Sequence, residues 1–136
     1  MNAYLAAARA ASFITCALHT WVGGPAIAGL LLASRDMHDV PKFTNYYCWH
    51  LVTITLLVMS GAYAWGATQA GGKDVAVFAF ALSVSLMVWN LWLIVWKKQR
   101  LMQKPEWILF LVIHRVALPA PLHRYNAREA GARAGR

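Results

Sequence analysis

The stretch YYCWHLVTITLLVMSGAYAW, from Tyr46 to Trp65, decides the fold class of this chain. It contains no Asp, Glu, Lys or Arg. An α-helix rises about 1.5 Å per residue, so a helix of this length crosses roughly 30 Å of hydrocarbon. The stretch therefore predicts a membrane-spanning helix that carries one ionisable ring, His50, near its start.

Two further apolar runs are long enough to span a bilayer, and a fourth run is shorter. The three spans are expected at about Ala10–Ala33, Tyr46–Ala67 and Val75–Trp96, and the short run at Trp107–Leu122. Apolar residues in the first run continue beyond a signal-peptide core, so we expect it to be retained. We predict an all-α integral membrane helical bundle with three spans plus a short fourth helix.

The composition supports a lipid environment for most of the chain. Hydrophobic residues make up 60% of the 136 residues and charged residues 13%. A soluble globule of this size has too little polar surface to cover so much apolar area. We expect a lipid bilayer to surround a bundle over residues 1–123, followed by a basic, disordered tail over residues 124–136.

The net charge of +8 is interpreted as a signal for membrane topology. Lys and Arg gather between and after the apolar runs, and no nucleic-acid-binding motif accompanies them, so nucleic acid is not an expected partner. If the fourth helix crosses the membrane, the basic tail balances the basic loops. If it lies at the surface, the positive-inside rule makes the side of the first loop cytoplasmic. We favour a short fourth helix packed into the bundle.

The connections between the runs contain residues that commonly begin helices. Ser34–Asn45 is predicted as a loop in which Thr44 and Asn45 cap the second span. Asp74 is predicted as the N-cap of the third span. The kink expected in the first span lies at Pro25, which lacks a backbone donor.

Aromatic residues are concentrated near the predicted ends of the spans. Tyr46, Tyr47 and Trp49 begin the second span, while Tyr63 and Trp65 end it. Amphipathic rings favour the level of the lipid headgroups. We interpret these residues as an interfacial belt.

Three histidines lie inside apolar runs, namely His19, His50 and His114. Ionisable groups at membrane depth are costly and usually face a bundle interior. At about 1.5 Å per residue, His50 and Asn90 both lie roughly 9 Å from the side of the first loop. Their common level predicts a hydrogen bond between the second and third spans.

His19 is the deepest of the three, and it shares a helical face with small polar residues. Ser12 and Cys16 belong to this face, and Thr53 belongs to a similar face on the second span. Ser12, Cys16, Thr53 and Asn90 are therefore predicted as polar contacts within the bundle. Cys16 and Cys48 are expected at very different depths, which argues against a disulfide.

Two neutral imidazoles that face each other can bind haem iron or a transition metal. His19 with His50, or His19 with His114, are the candidate pairs, although their depths differ by about 8–12 Å. The sequence has no C-x-x-C-H attachment site, nucleophile motif or phosphate-binding loop. We therefore do not expect an enzyme acting alone.

Three short motifs complete the sequence evidence: ALHTWVGG around His19, CWHLVTITL around His50, and KPEWILFLV at the start of the short run. In these motifs the chain resembles small bacterial inner-membrane proteins of unassigned function. The resemblance implies a four-helix membrane protein of the bacterial inner (cytoplasmic) membrane, and it implies no activity.

These observations predict a small non-enzymatic membrane protein, either a subunit of a membrane complex or a helper. Other membrane protein subunits are then expected partners. One alternative is a haem- or metal-binding subunit for electron transfer or sensing that uses His19 with His50 or His114. Another alternative is a small transporter or proton path along the face of His19.

Overall fold

A computed structural model describes residues 2–101 and 106–118 of the chain. These residues form helices and short connections, without a β-strand in the described ranges. The elements are α1 (Ala3–Leu18), a π-helical segment (His19–Gly29), α2 (Leu30–Ala33), α3 (Asp39–Thr68), a 3-10 turn (Ala70–Gly72), α4 (Lys73–Trp96) and α5 (Glu106–Ala117).

Three helical stretches are long and apolar enough to cross a membrane. They are Ala3–Ala33, which joins α1, the π-helical segment and α2, then Asp39–Thr68 and Lys73–Trp96. The prediction of an all-helical chain with three such stretches is confirmed. The last part of the predicted fourth run and the tail at 124–136 lie outside the described residues.

The predicted start of the second span is wrong, because α3 begins at Asp39 instead of near Tyr46. His38 Nδ1 accepts a hydrogen bond from the Val40 N–H at 3.4 Å, which caps the new helix. Pro41 lies in the first turn, where a helix has no partner for the missing N–H. The predicted loop at Ser34–Asn45 is therefore helical from Asp39 onward, and residues 34–38 form the connection.

The predicted cap of the third span is also displaced, by two residues. Helix α4 begins at Lys73 with Gly72 as its N-cap, and Asp74 lies inside the first turn. A carboxylate in the first turn is still favourable, because it lies near the positive end of the helix dipole.

The four longer helices form a closed four-sided bundle. Helix α1 packs against α3 and α5, and α4 also packs against α3 and α5. Trp107 Nε1 donates to the Leu101 carbonyl at 3.2 Å, which holds the start of α5 near the end of α4. The short fourth helix, α5, therefore packs into the bundle as its fourth side, as we expected. It runs antiparallel to α4.

The bundle interior combines a few large side chains with many small ones. Leu56, Met59, Tyr63 and Ile113 are the large residues with almost no exposed surface, and alanines from α1, α4 and α5 pack around them. Small residues let helix backbones approach closely, which is how membrane helices associate.

The outer surface of the bundle is apolar. Trp21 is 77% exposed and Val95 is 75% exposed, and large apolar side chains are exposed on every long helix. A water-soluble bundle buries such side chains and exposes polar ones. Here many large apolar side chains lie on the outer surface, while the interior includes small residues and a few polar ones such as Ser12 and Ser83.

Candidate functional site

His19 is held against α3 by both its ring face and a ring nitrogen. Its ring stacks on Trp49, with ring centroids 3.9 Å apart and an interplanar angle of 18°. His19 Nε2 lies 3.2 Å from the Trp49 carbonyl oxygen. A carbonyl only accepts hydrogen bonds, so this contact places a proton on Nε2.

The local sequence after His19 explains how the aromatic ring fits there. His19 is the first residue of the π-helical segment, which contains Pro25. Gly23 provides the space for Trp49, because a Cβ at Gly23 would lie 2.8 Å from Trp49 Cη2. The predicted kink at Pro25 is thus a widened helical turn, a feature often found at functional sites.

Cys16 and Thr53 extend this contact toward the bundle centre, as the sequence predicted. The Cys16 thiol donates to the Thr53 carbonyl at 3.7 Å. The Thr53 hydroxyl lies 3.5 Å from the Trp49 carbonyl, which it shares with His19. Cys16 is buried and Cys48 is exposed, and neither forms a disulfide, which agrees with the different depths expected for them.

His50 does not make the predicted contact with Asn90. Its ring is exposed and packs edge-on against Tyr46, with centroids 4.6 Å apart. Adjacent residues on an α-helix point about 100° apart, so Trp49 faces α1 while His50 turns away. An equal depth was therefore not enough to bring His50 and Asn90 together.

His114 lies inside the bundle, and both of its ring nitrogens have partners. Nδ1 is 2.7 Å from the Phe110 carbonyl one turn earlier, and Nε2 is 3.5 Å from Ser83 Oγ on α4. The ring also packs edge-on against Phe80 at 5.1 Å. The arrangement is that of a histidine that joins two helices.

Hydrogen-bond roles at His114 follow from its partners. The Phe110 carbonyl only accepts, so Nδ1 carries a proton and neutral His114 presents Nε2 as an acceptor. The Ser83 hydroxyl can donate to Nε2 or to the Phe80 carbonyl, which is 2.9 Å away. When the Ser83 hydroxyl points to Nε2, both ring nitrogens of His114 have hydrogen-bond partners. His114 then needs no metal or other ligand.

Tyr63 was assigned to the interfacial belt, and this assignment is wrong. It has no exposed surface, and its hydroxyl faces Ser83 although Oη lacks a partner with hydrogen-bond geometry. Tyr63 continues a stripe of buried α3 residues that includes Leu56, Met59 and Ser60. This spacing of three to four residues was the feature of the sequence that could have predicted the burial of Tyr63.

Besides Tyr63 Oη, three buried oxygens in the described part of the chain have no hydrogen-bond partner, and they lie on three different helices. They are Ser12 Oγ on α1, Asn90 Oδ1 on α4 and Glu106 Oε2 on α5. The Ser83–His114 contact fixes the register of antiparallel α4 and α5. Counting from this contact places Asn90 and Glu106 within about 1.5 Å of the same level along the bundle.

Ser12 lies at a different level. The contacts between α1 and α3, together with the close approach of Gly66 on α3 and Ala76 on α4, place Ser12 about 7.5 Å from Asn90 along the bundle axis. Asn90 and Glu106 therefore share one level on two adjacent helices, and Ser12 lies apart from them. An amide oxygen and a carboxylate are acceptors that require a donor or a cation.

Glu106 was not among the candidate residues, because the sequence placed it in a loop. It begins α5, and its Oε2 atom is buried. Because α5 packs against both α1 and α4, this acidic group belongs to the interior side of the bundle.

Within residues 2–101 and 106–118, no group of three or more His, Cys, Asp or Glu side chains is arranged to hold a metal ion. His114 uses both nitrogens in hydrogen bonds, so the His19–His114 pair fits haem poorly. His50 is exposed, and its ring packs against Tyr46.

Comparisons of the chain with protein-family models, curated proteins and solved structures find no match. The function must therefore be inferred from the geometry of the chain itself.

Proposed function

We propose that this chain is a multi-pass protein of the bacterial inner membrane and serves as a non-enzymatic subunit or helper of other membrane proteins. The observation that carries this proposal is the large apolar surface that the long helices expose. Trp21 and Val95 are among the most exposed residues, whereas Ser12 and Ser83 have no exposed surface. A lipid environment makes that distribution favourable.

The contacts of the histidines favour a subunit or helper over a redox protein. His19 and His114 both connect helices through hydrogen bonds to backbone carbonyls. Such contacts stabilise a bundle and select its packing. The same histidines would have to break these contacts to bind haem iron, and a visible absorption spectrum of purified protein without a Soret band would exclude haem.

Membrane residence is tested by fractionation of cells that express the full chain. We expect the protein to remain in the membrane pellet after an alkaline carbonate wash and to leave it only in detergent. Release by carbonate, or recovery as a soluble monomer without detergent, would contradict the proposal.

The subunit role is tested by photo-crosslinking from exposed apolar positions. A photoreactive amino acid is introduced singly at Trp21, Leu57, Phe78 and Val95, which lie on different outer surfaces. A partner protein should crosslink from one surface and not from the others. If all four positions give no protein adduct in cells, the chain does not act as a subunit.

The common level of Asn90 Oδ1 and Glu106 Oε2 favours a second candidate function, a site for a small cation in the bundle. A carboxylate and an amide oxygen are ligands that hard cations such as Na⁺ prefer. A buried carboxylate oxygen without a hydrogen-bond partner is costly, so a bound cation would stabilise Glu106 and the fold together.

This second function predicts that Na⁺ raises the unfolding temperature relative to choline at equal ionic strength. The variant Glu106→Gln should lose the difference, because it removes the charge and preserves the shape. Asp36→Asn is the control, since Asp36 is exposed on the first connection. Equal unfolding temperatures in Na⁺ and choline for the unmodified protein would exclude a Na⁺ site.

A further inference from the structure

The end of α4 has an unusual residue at the position that ends the helix. Gln99 N–H donates to the Ile94 carbonyl at 2.9 Å, and Lys98 N–H donates to the Val95 carbonyl at 3.1 Å. These two bonds define a Schellman motif, in which Lys98 occupies the left-handed position with φ 51°. Glycine favours this conformation, so the charge of Lys98 occurs where the backbone disfavours a side chain.

A ridge of indole rings leads to this helix end. Trp89 stacks on Trp92 with centroids 5.0 Å apart, and Trp92 stacks on Trp96 at 4.8 Å. All three rings are exposed, and Lys97 Nζ lies 4.0 Å from the centroid of Trp96. We call Trp89, Trp92 and Trp96 the tryptophan ridge.

The charge at this end of the helix is entirely positive. Lys97, Lys98 and Arg100 are exposed and lie within four consecutive residues. No Asp or Glu occurs in the sequence between Asp74 and Glu106. The acidic residue of α4 itself, Asp74, lies in the first turn, at the opposite end of the helix from these cations.

We propose that the end of α4 binds the headgroup of an anionic phospholipid. Lys97, Lys98 and Arg100 contact the phosphodiester and the anionic headgroup, while the acyl chains lie along the tryptophan ridge. Amphipathic indoles favour the boundary between headgroups and acyl chains, and basic residues beside a membrane attract anionic lipid. This inference rests on the proposed membrane location and adds a specific lipid class and a specific site.

The experiment compares lipid effects on thermal unfolding of the full chain in detergent micelles. Phosphatidylglycerol and phosphatidylcholine are added at equal mole fractions. For the unmodified protein we expect phosphatidylglycerol to raise the unfolding temperature by several degrees more than phosphatidylcholine, in a saturable manner. High salt should reduce the difference, because it screens exposed charges.

Lys98→Gly separates the lipid site from general stability. It keeps the Schellman motif and relieves the left-handed lysine, so it should raise the unfolding temperature in phosphatidylcholine. It should also reduce the extra effect of phosphatidylglycerol, because one cation is removed. The two effects have opposite signs, so a misfolded variant cannot imitate the expected result.

Lys42→Ala is the matched control, because Lys42 belongs to the first turn of α3 and not to the end of α4. It should keep the full phosphatidylglycerol effect. An unmodified protein that responds equally to both lipids would overturn the proposed site, as would a Lys98→Gly variant that keeps the full difference. A chain unaffected by either lipid and soluble without detergent would instead refute the membrane proposal.

Discussion

At the residue scale, the roles of the histidines depend on their immediate neighbours. His19 is covered by Trp49 and His114 is bonded to Phe110 and Ser83, whereas His50 is exposed. Their residue type and their place in apolar runs made all three candidates for a ligand, with His19 in both candidate pairs. Side-chain direction distinguishes them, because a rotation of about 100° per residue decides which ring faces the interior.

The contact between Gly23 and Trp49 is tested by Gly23→Ala. The new Cβ would lie 2.8 Å from Trp49 Cη2, so the indole must move off the His19 ring. We expect a loss of about 1–3 kcal/mol in the free energy of unfolding, as for other overpacked sites. Denaturant unfolding in detergent micelles measures it.

Gly29→Ala is the matched control for this substitution, because Gly29 lies in the same helical segment. A Cβ at Gly29 meets only the Gly24 carbonyl oxygen at 3.7 Å, an ordinary contact, so stability should stay the same or rise slightly. Equal losses in Gly23→Ala and Gly29→Ala would show that backbone effects, and not the His19–Trp49 stack, are responsible.

The interhelical contact of His114 is tested by Ser83→Ala. The substitution removes the hydroxyl beside His114 Nε2 and leaves that buried nitrogen without its protein partner. We expect a loss of about 1 kcal/mol in the free energy of unfolding.

Ser85→Ala serves as the comparison, because the Ser85 hydroxyl only bonds to the Ala81 carbonyl of its own helix and is exposed. It should change stability by less than about 0.5 kcal/mol. A Ser83→Ala variant as stable as Ser85→Ala would mean that the contact with His114 contributes nothing.

At the element scale, close contact between helices determines the shape of the bundle. Helices α3 and α4 meet at Gly66, where a Cβ would lie 2.7 Å from the Ala76 Cβ and 3.0 Å from the Gly72 carbonyl oxygen. Because the nearest atoms belong to a backbone and to a short side chain, they cannot rotate away. Glycine at this position therefore sets the distance between the two helices.

Gly66→Ala should therefore separate the α3–α4 pair and lower the free energy of unfolding by about 1–3 kcal/mol. Gly61 lies on the same helix and would place its Cβ in open space. Gly61→Ala should be neutral or stabilising, because alanine is the better helix former. Thermal unfolding of both variants distinguishes packing from helix propensity, and a neutral Gly66→Ala would contradict this account of the helix contact.

At the scale of the whole molecule, three long apolar helices imply an alternation of sides. The first connection, near residue 36, and the end of α4, near residue 98, should face one side of the membrane, and the turn at residue 71 should face the other. Single cysteines at these positions, in a chain with Cys16 and Cys48 replaced by serine, can be labelled with an impermeant maleimide in intact cells. Labelling of position 71 together with position 36 would contradict three crossings.

The sequence by itself determined the all-helical class and the three long apolar helices. Long apolar runs with few charges permit little besides helices in lipid, because every backbone polar group must be bonded within its own segment. Helical spacing was also sufficient to place Cys16 and Thr53 at one interface, because residues three or four apart share a face.

Only the tertiary structure decided which polar groups meet. The burial of Tyr63, the exposure of His50 and the inward position of the Glu106 carboxylate oxygen all depend on how the helices are rotated and aligned. Rotation and register result from packing between helices that are distant in sequence. A periodic pattern along one helix indicates which face is buried, and the partner of each side chain on that face is fixed only when the neighbouring helix packs against it.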